Sequence, residues 1–262
     1  MHKLQTRKKR ITLASSSGFN KFFEKFKTIH QVKLNQAEED EGLFFLTLLS
    51  PSLYFICPFV DKLPEISIID NMPEKVKNKL IKYYQNSIKR YMYVYGKNKR
   101  YLCKNVMSSG KIQLIKQAFP DTVIINPVRH PYNAIPSMID FYHSVWKIHS
   151  PELLGNSKET KFLADSMMEL YIHMLKCQEQ IGDKFITIKF DELIKNPLSC
   201  VKYIYKKMAL KQPKNFDMQL NDFIKKNNHK SKHTYSLKGF GLTREIVYNK
   251  LKEVFDSYGF EK

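Results

Sequence analysis

Residues 104–141, KNVMSSGKIQLIKQAFPDTVIINPVRHPYNAIPSMIDF, decide how this chain reads. Ile112, Leu114, Ile115 and Phe119 fall at helical spacing, and Pro120-Asp121 stops that helix. TVIINPV at 122–128 is a short apolar run and predicts a strand. Pro131 suits the first position of a second helix, expected to run to about Lys147. Just upstream, RYLCKNV at 100–106 predicts another strand, and Ser108-Ser109-Gly110 a turn with a capping hydroxyl. Strand, helix, strand and helix at this spacing imply a right-handed parallel crossover. The fold class expected is therefore α/β, a parallel sheet flanked by helices.

Working outward, Pro73 opens a helix in which Val76, Leu80, Tyr84, Ile88, Tyr91 and Tyr95 form one stripe, broken by Gly96 and Asn98. Residues 160–181 predict a long helix, and KFITIKF at 184–190 alternates as a strand does. Asp191-Glu192-Leu193 and Pro197 lead into a helix carrying Val201, Ile204, Tyr205 and Met208. Thr243 caps a last helix, with Gly259 just past its end. Nothing in the sequence marks a linker. One domain over 31–262 is expected, with 1–30 as a loose tail and amphipathic helix.

Lys+Arg 44 against Asp+Glu 25 give a net charge of +19, which favours anionic partners. Solvated lysines spread over the surface account for much of it, and nucleic acid is the weaker reading because only charge supports it. Cys57, Cys103, Cys177 and Cys200 form no CxxC pair and sit among apolar neighbours, as thiols in a reducing, cytoplasmic compartment do. No spacing of Cys or His suits a metal. The apolar run 43–60 is interrupted by Ser50-Pro51-Ser52 and Pro58, so a buried helix ending near Ser50 is expected rather than a membrane span.

Ligands of parallel sheets lie where strands end and helices begin. Two such junctions carry anion-binding residue types. The first has Lys104, Asn105, Ser108 and Ser109 before a helix amino terminus, whose NH groups and dipole would favour a phosphate. The second has Arg129 at the strand end, a planar fork of donors, and Ser137 two turns into the following helix. Taken singly, a strand-end arginine is more often an ion-pair partner and a helix serine a tolerated small residue.

In combination the stretch resembles the superfamily of PAPS-dependent sulfotransferases, where PAPS is 3′-phosphoadenosine 5′-phosphosulfate. There a Lys-containing strand, a helix, "FPDA", a hydrophobic strand and "R-x-P-x-x-x-x-x-S" recur in this order, and Arg129, Pro131 and Ser137 match the last pattern. EEDEGLFFLTLLSPS is similar to that family's acidic segment, KFITIKFDELIKNP to its strand followed by "Y/F-E/D-D/E-L-x-x-x-P", and HKSKHTYSLKGFGL to its carboxy-terminal "H-x-Y-S-L-x-x-F-G-L". The resemblance implies a P-loop NTPase-like fold, PAPS or its product PAP as cofactor, and Arg129 and Ser137 on the 3′-phosphate. It also implies Lys104, Lys230, Lys232 and Tyr235 as further cofactor contacts, although flexible surface lysines remain the rival account of that loop.

The family's "G-x-x-R-S-G-T" loop, which cradles the 5′-phosphosulfate, has no match here. Ser15-Ser16-Ser17-Gly18 has the outline but no Arg or Lys inside it. The expectation is accordingly a sulfotransferase fold incomplete at its amino terminus. Either the chain moves a sulfuryl group from PAPS to a hydroxyl or amine, or it is a truncated or non-catalytic relative that only binds the nucleotide phosphate. For the base that deprotonates the acceptor, Glu39 and Glu41 of the acidic segment are candidates, as is Ser108, where some relatives place a histidine. The acids could equally serve a helix amino terminus. The acceptor and the oligomeric state stay open.

Overall fold

The computed structural model describes residues 39–96, 98–226 and 236–262. By its internal contacts the chain divides after Asp40, and residues 41–262 form the larger unit. The expected tail, with Ser15–Gly18, lies outside the described residues.

The larger unit is α/β, mostly helical, with one two-stranded parallel sheet among the described residues. Strand β1 (Ile124–Val128) pairs with β2 (Phe185–Lys189), Ile124 opposite Phe185 and Val128 opposite Lys189. The connection between them is helical: α4 (Pro131–His149) and α5 (Lys158–Ile181). Four further helices flank this crossover in the sequence. They are α1 (Glu41–Phe45), α2 (Glu74–Tyr95) and α3 (Ile112–Ala118) before β1, and α9 (Arg244–Tyr258) at the end of the chain. Three more, α6 (Phe190–Lys195), α7 (Pro197–Lys207) and α8 (Phe216–Lys226), lie between β2 and α9.

Local chemistry sets the ends of these elements. The Ser157 hydroxyl accepts from the Thr160 NH and opens α5. The Thr243 hydroxyl accepts from the Ile246 NH at 3.1 Å and opens α9. Gly259 closes α9 in the left-handed region at φ 57°, which costs a residue without a Cβ little. The core runs between the helices: Phe44, Tyr54, Trp146, Leu163, Met168 and Phe255 are fully buried in it. The Trp146 indole NH donates to the Tyr54 carbonyl at 2.6 Å, so this large side chain is buried with its polar atom satisfied.

Three sequence expectations are corrected. Residues 100–106 are not a strand. They keep the period of two, with Leu102, Lys104 and Val106 exposed and Tyr101, Cys103 and Asn105 half-buried, but no described segment forms a ladder with them. The parallel crossover therefore joins β1 to β2 instead of 100–106 to β1. The helix within 43–60 ends at Phe45, because the chain turns and the Ser50 hydroxyl caps a 3-10 turn over Pro51–Phe55. Finally, the stripe of α2 is buried at Leu80, Tyr84 and Ile88 but exposed at Tyr91 and Tyr95, where the helix outruns the core. No helix among the described residues is long and apolar enough to cross a membrane.

Candidate functional site

Arg129 sits one residue past β1, and Phe190 one residue past β2. Parallel pairing in register sets the two strand ends side by side, and the Arg129 guanidinium lies over the Phe190 ring, 5.4 Å from its centroid. Among the described residues no carboxylate forms an ion pair with Arg129. From α5, the Tyr171 hydroxyl donates to the Arg129 carbonyl at 2.7 Å. Burial pushes that phenol up, so it stays a donor.

The next residue fixes the direction of α4. The Tyr132 NH donates to His130 Nδ1, so Nε2 carries the proton and donates to the Glu261 carbonyl at 3.0 Å. The His130 ring also packs on Phe255 and Phe260, with centroids 5.3 and 4.9 Å away. The carboxy-terminal segment thereby clamps the turn that carries Arg129. Ser137, half-buried, lies six residues beyond Pro131, roughly 9 Å along the helix axis.

The first junction is arranged differently from the expectation. The NH groups of Gln113 and Leu114, at the start of α3, donate to the two oxygens of Asp70 at 2.9 and 2.8 Å. A carboxylate of the chain itself fills the place foreseen for a phosphate. His173 Nε2 holds the same carboxylate at 2.8 Å and lies 3.4 Å from the Cys177 sulfur, a thiol that burial pushes up to about 12. Asn105 caps the 3-10 turn over Val106–Lys111 by accepting from the Met107 NH at 2.9 Å, and Ser109 donates to the Val106 carbonyl at 3.0 Å. Lys104 is exposed and Ser108 half-buried beside them.

Glu41 is buried in a polar knot that joins these segments. One of its oxygens accepts from Lys111 Nζ at 2.6 Å and from Asn105 Nδ2 at 2.8 Å, and the other from the Ser50 hydroxyl. Lys111 is 0% exposed, and its ammonium stands 3.9 Å from the centroid of the Phe44 ring. Glu39 is half-buried in the smaller unit. Lys230, Lys232 and Tyr235 lie outside the described residues.

Sequence reasoning did not single out Tyr171, His130, Phe260, Asp70 or the buried state of Lys111. Phe190 alone had a local signal, as the aromatic that opens the "Y/F-E/D-D/E-L" pattern; its ring is the platform beneath Arg129.

A family model described as "Sulfotransferase family" matches residues 61–214. Two curated relatives, the omega-hydroxy-beta-dihydromenaquinone-9 sulfotransferases Stf3 of Mycobacterium bovis and Mycobacterium tuberculosis, are each 21% identical over 234 residues. The alignment takes in 88% of this chain but only 59% of either relative, so the chain spans about three fifths of their length. The crystal structure of sulfotransferase STF9 from Mycobacterium avium superposes with a TM-score of 0.73 over 92% of this chain and 63% of that one, at 16% identity. At that identity the likeness concerns the fold.

Proposed function

The chain belongs to the sulfotransferase family, and from that premise we propose that it transfers a sulfuryl group from PAPS to an acceptor hydroxyl or amine. The observation that carries the reading is Arg129: a strand-end guanidinium without a carboxylate partner among the described residues, held over Phe190 and fixed through its backbone by Tyr171. Such a group suits the oxygens of a nucleotide 3′-phosphate. Ser137 adds a hydroxyl from the helix that starts beside it. The curated relatives carry a hydroxy-bearing menaquinone in their names, which favours a hydroxyl over an amine as the acceptor.

Bound PAPS would supply the chemistry: the acceptor oxygen bonds to sulfur as the sulfur–oxygen bond to the 5′-phosphate breaks, leaving PAP. The residues of this chain bind and orient. Arg129 forks onto the 3′-phosphate, and the Phe190 ring beneath keeps the guanidinium from folding away. Lys104, with Lys230, Lys232 and Tyr235 of the carboxy-terminal motif, would add contacts to the phosphates. The acceptor proton is assigned to the acidic segment, Glu39 and Glu41, with Ser108 in the position of a relative's histidine. Glu41 would have to release Lys111, Asn105 or Ser50 to take it up. The same reading takes in a reducing, cytoplasmic setting, which rests on cysteines that form no CxxC pair in the sequence.

Calorimetric titration with PAP tests the binding half. The wild-type chain should bind, and Arg129→Ala should weaken binding by about 1.5–3 kcal/mol, the worth of hydrogen bonds to a charged group. Transfer of labelled sulfate from PAPS to a hydroxyl acceptor tests the other half. Binding without transfer would favour the non-catalytic relative, and absence of binding would remove both readings.

A further inference from the structure

The carboxyl end of α2 does something its core-facing half does not explain. Leu80, Tyr84 and Ile88 are buried, but beyond them Tyr91, Tyr93, Val94 and Tyr95 are all exposed, Tyr93 at 88% and Tyr95 at 64%. The helix has run out of core and still carries apolar residues on every side. After the turn at Gly96 the chain returns through 100–106 and exposes Leu102, at 85%, and Val106. The two arms form one knob: the Tyr91 ring lies 5.3 Å from that of Tyr95 and 5.9 Å, edge-on, from that of Tyr101. A tip this apolar calls for an occupant, because a soluble surface rarely gathers such side chains without a use.

Its surroundings are basic. Lys89 and Arg90 precede the tip, Lys99 and Arg100 stand at the end of its turn and just past it, and Lys104 follows, all exposed. No Asp or Glu stands anywhere between Glu74 and Asp121. We propose that the segment 89–106 docks the protein on an anionic phospholipid bilayer, Tyr93, Tyr95 and Leu102 entering the headgroup region while Lys89, Arg90, Lys99 and Arg100 meet the lipid phosphates. Tyrosine with an apolar body and a polar tip belongs at that depth, and basic residues beside it add attraction to an anionic leaflet.

Charge complementarity selects this occupant over a second copy of the chain, which would set the same basic rim against itself. It is selected over single-stranded nucleic acid by the aliphatic members: bases stack on flat faces, and nothing in stacking uses Leu102, Val94 or Val106. Three of the tyrosines, moreover, are packed against one another. The inference uses none of the residues assigned to nucleotide binding except Lys104 at its edge, so the two proposals stand or fall separately.

Sedimentation with vesicles tests it. The full chain should bind vesicles of phosphatidylglycerol and phosphatidylcholine in equal parts, and not phosphatidylcholine alone. Lys99→Gln/Arg100→Gln should weaken that binding roughly thirty-fold at low salt, and high salt should weaken the wild type likewise. Tyr93→Ser/Leu102→Ser should lose the binding that survives in high salt, whereas Lys176→Gln/Lys225→Gln, changed at exposed positions elsewhere, should bind as the wild type does. The emission of the single tryptophan, Trp146, reports that each variant is folded. Equal binding to both vesicle types, an equal loss in the Lys176/Lys225 variant, or capture of a uridine oligonucleotide without vesicle binding would overturn the proposal.

Discussion

Lys111 and Glu41 face each other in the interior, 2.6 Å apart, each costly to bury alone. Lys111→Met takes the ammonium from the buried carboxylate, Glu41→Gln takes the carboxylate charge from the ammonium, and each should cost about 3–5 kcal/mol. The double variant should lose less than the sum of the two, because no lone buried charge is left; additive losses in urea unfolding would refute the coupling. Gly110 is constrained differently. A Cβ there would stand 2.1 Å from the Ser67 carbonyl oxygen, so Gly110→Ala should cost about 1–3 kcal/mol by forcing two backbones apart. A variant with wild-type stability would mean that the approach relaxes freely. Neither feature was legible in the sequence. Lys111 is one lysine among many and Glu41 one acid in a run, and nothing local marks a partner seventy positions away.

Helices α4 and α5 are tied by His143, whose Nε2 lies 2.8 Å from the Thr160 hydroxyl in the first turn of α5. Burial, with Lys147 as a smaller contribution, lowers this imidazole from 6.5 to about 4. The unfolded chain takes up the proton near pH 6.5 and the folded chain only near pH 4. Stability from this group is therefore present above pH 6.5 and falls as the pH drops toward 4, by about 3 kcal/mol in all. Melting of the wild type against His143→Gln across that window should show the variant losing less; parallel curves would assign the acid sensitivity elsewhere. At this scale the sequence was informative. The core-facing part of the α2 stripe, the Thr243 cap of α9, Pro131 and both sheet strands follow from periodicity and capping chemistry. The segment 100–106 shows the limit: alternation is a property of an extended chain, and a strand needs in addition a partner that only the folded molecule provides. The filled amino terminus of α3 shows it again, since its carboxylate, Asp70, comes from more than forty positions upstream.

For the molecule as a whole, the placement of Arg129 follows from topology. Parallel strands put their carboxyl ends together, the helix after β1 supplies Ser137, and α5 and the carboxy-terminal segment brace the turn between. The order of motifs along the sequence made the strand end and the helix that carries Ser137 legible; the braces were not, because Tyr171 and the Phe260 and Glu261 that hold His130 arrive from distant segments. The central claim, that Arg129 receives the 3′-phosphate of the nucleotide, is tested most directly by a selectivity measurement. Affinities for PAP and for adenosine 5′-monophosphate, which lacks that phosphate, are compared in the wild type and in Arg129→Ala, with the emission of Trp146 as the check on folding. The account predicts that the wild type prefers PAP and that Arg129→Ala loses most of that preference while its affinity for the monophosphate is unchanged. A preference for PAP that survives intact in Arg129→Ala would contradict it.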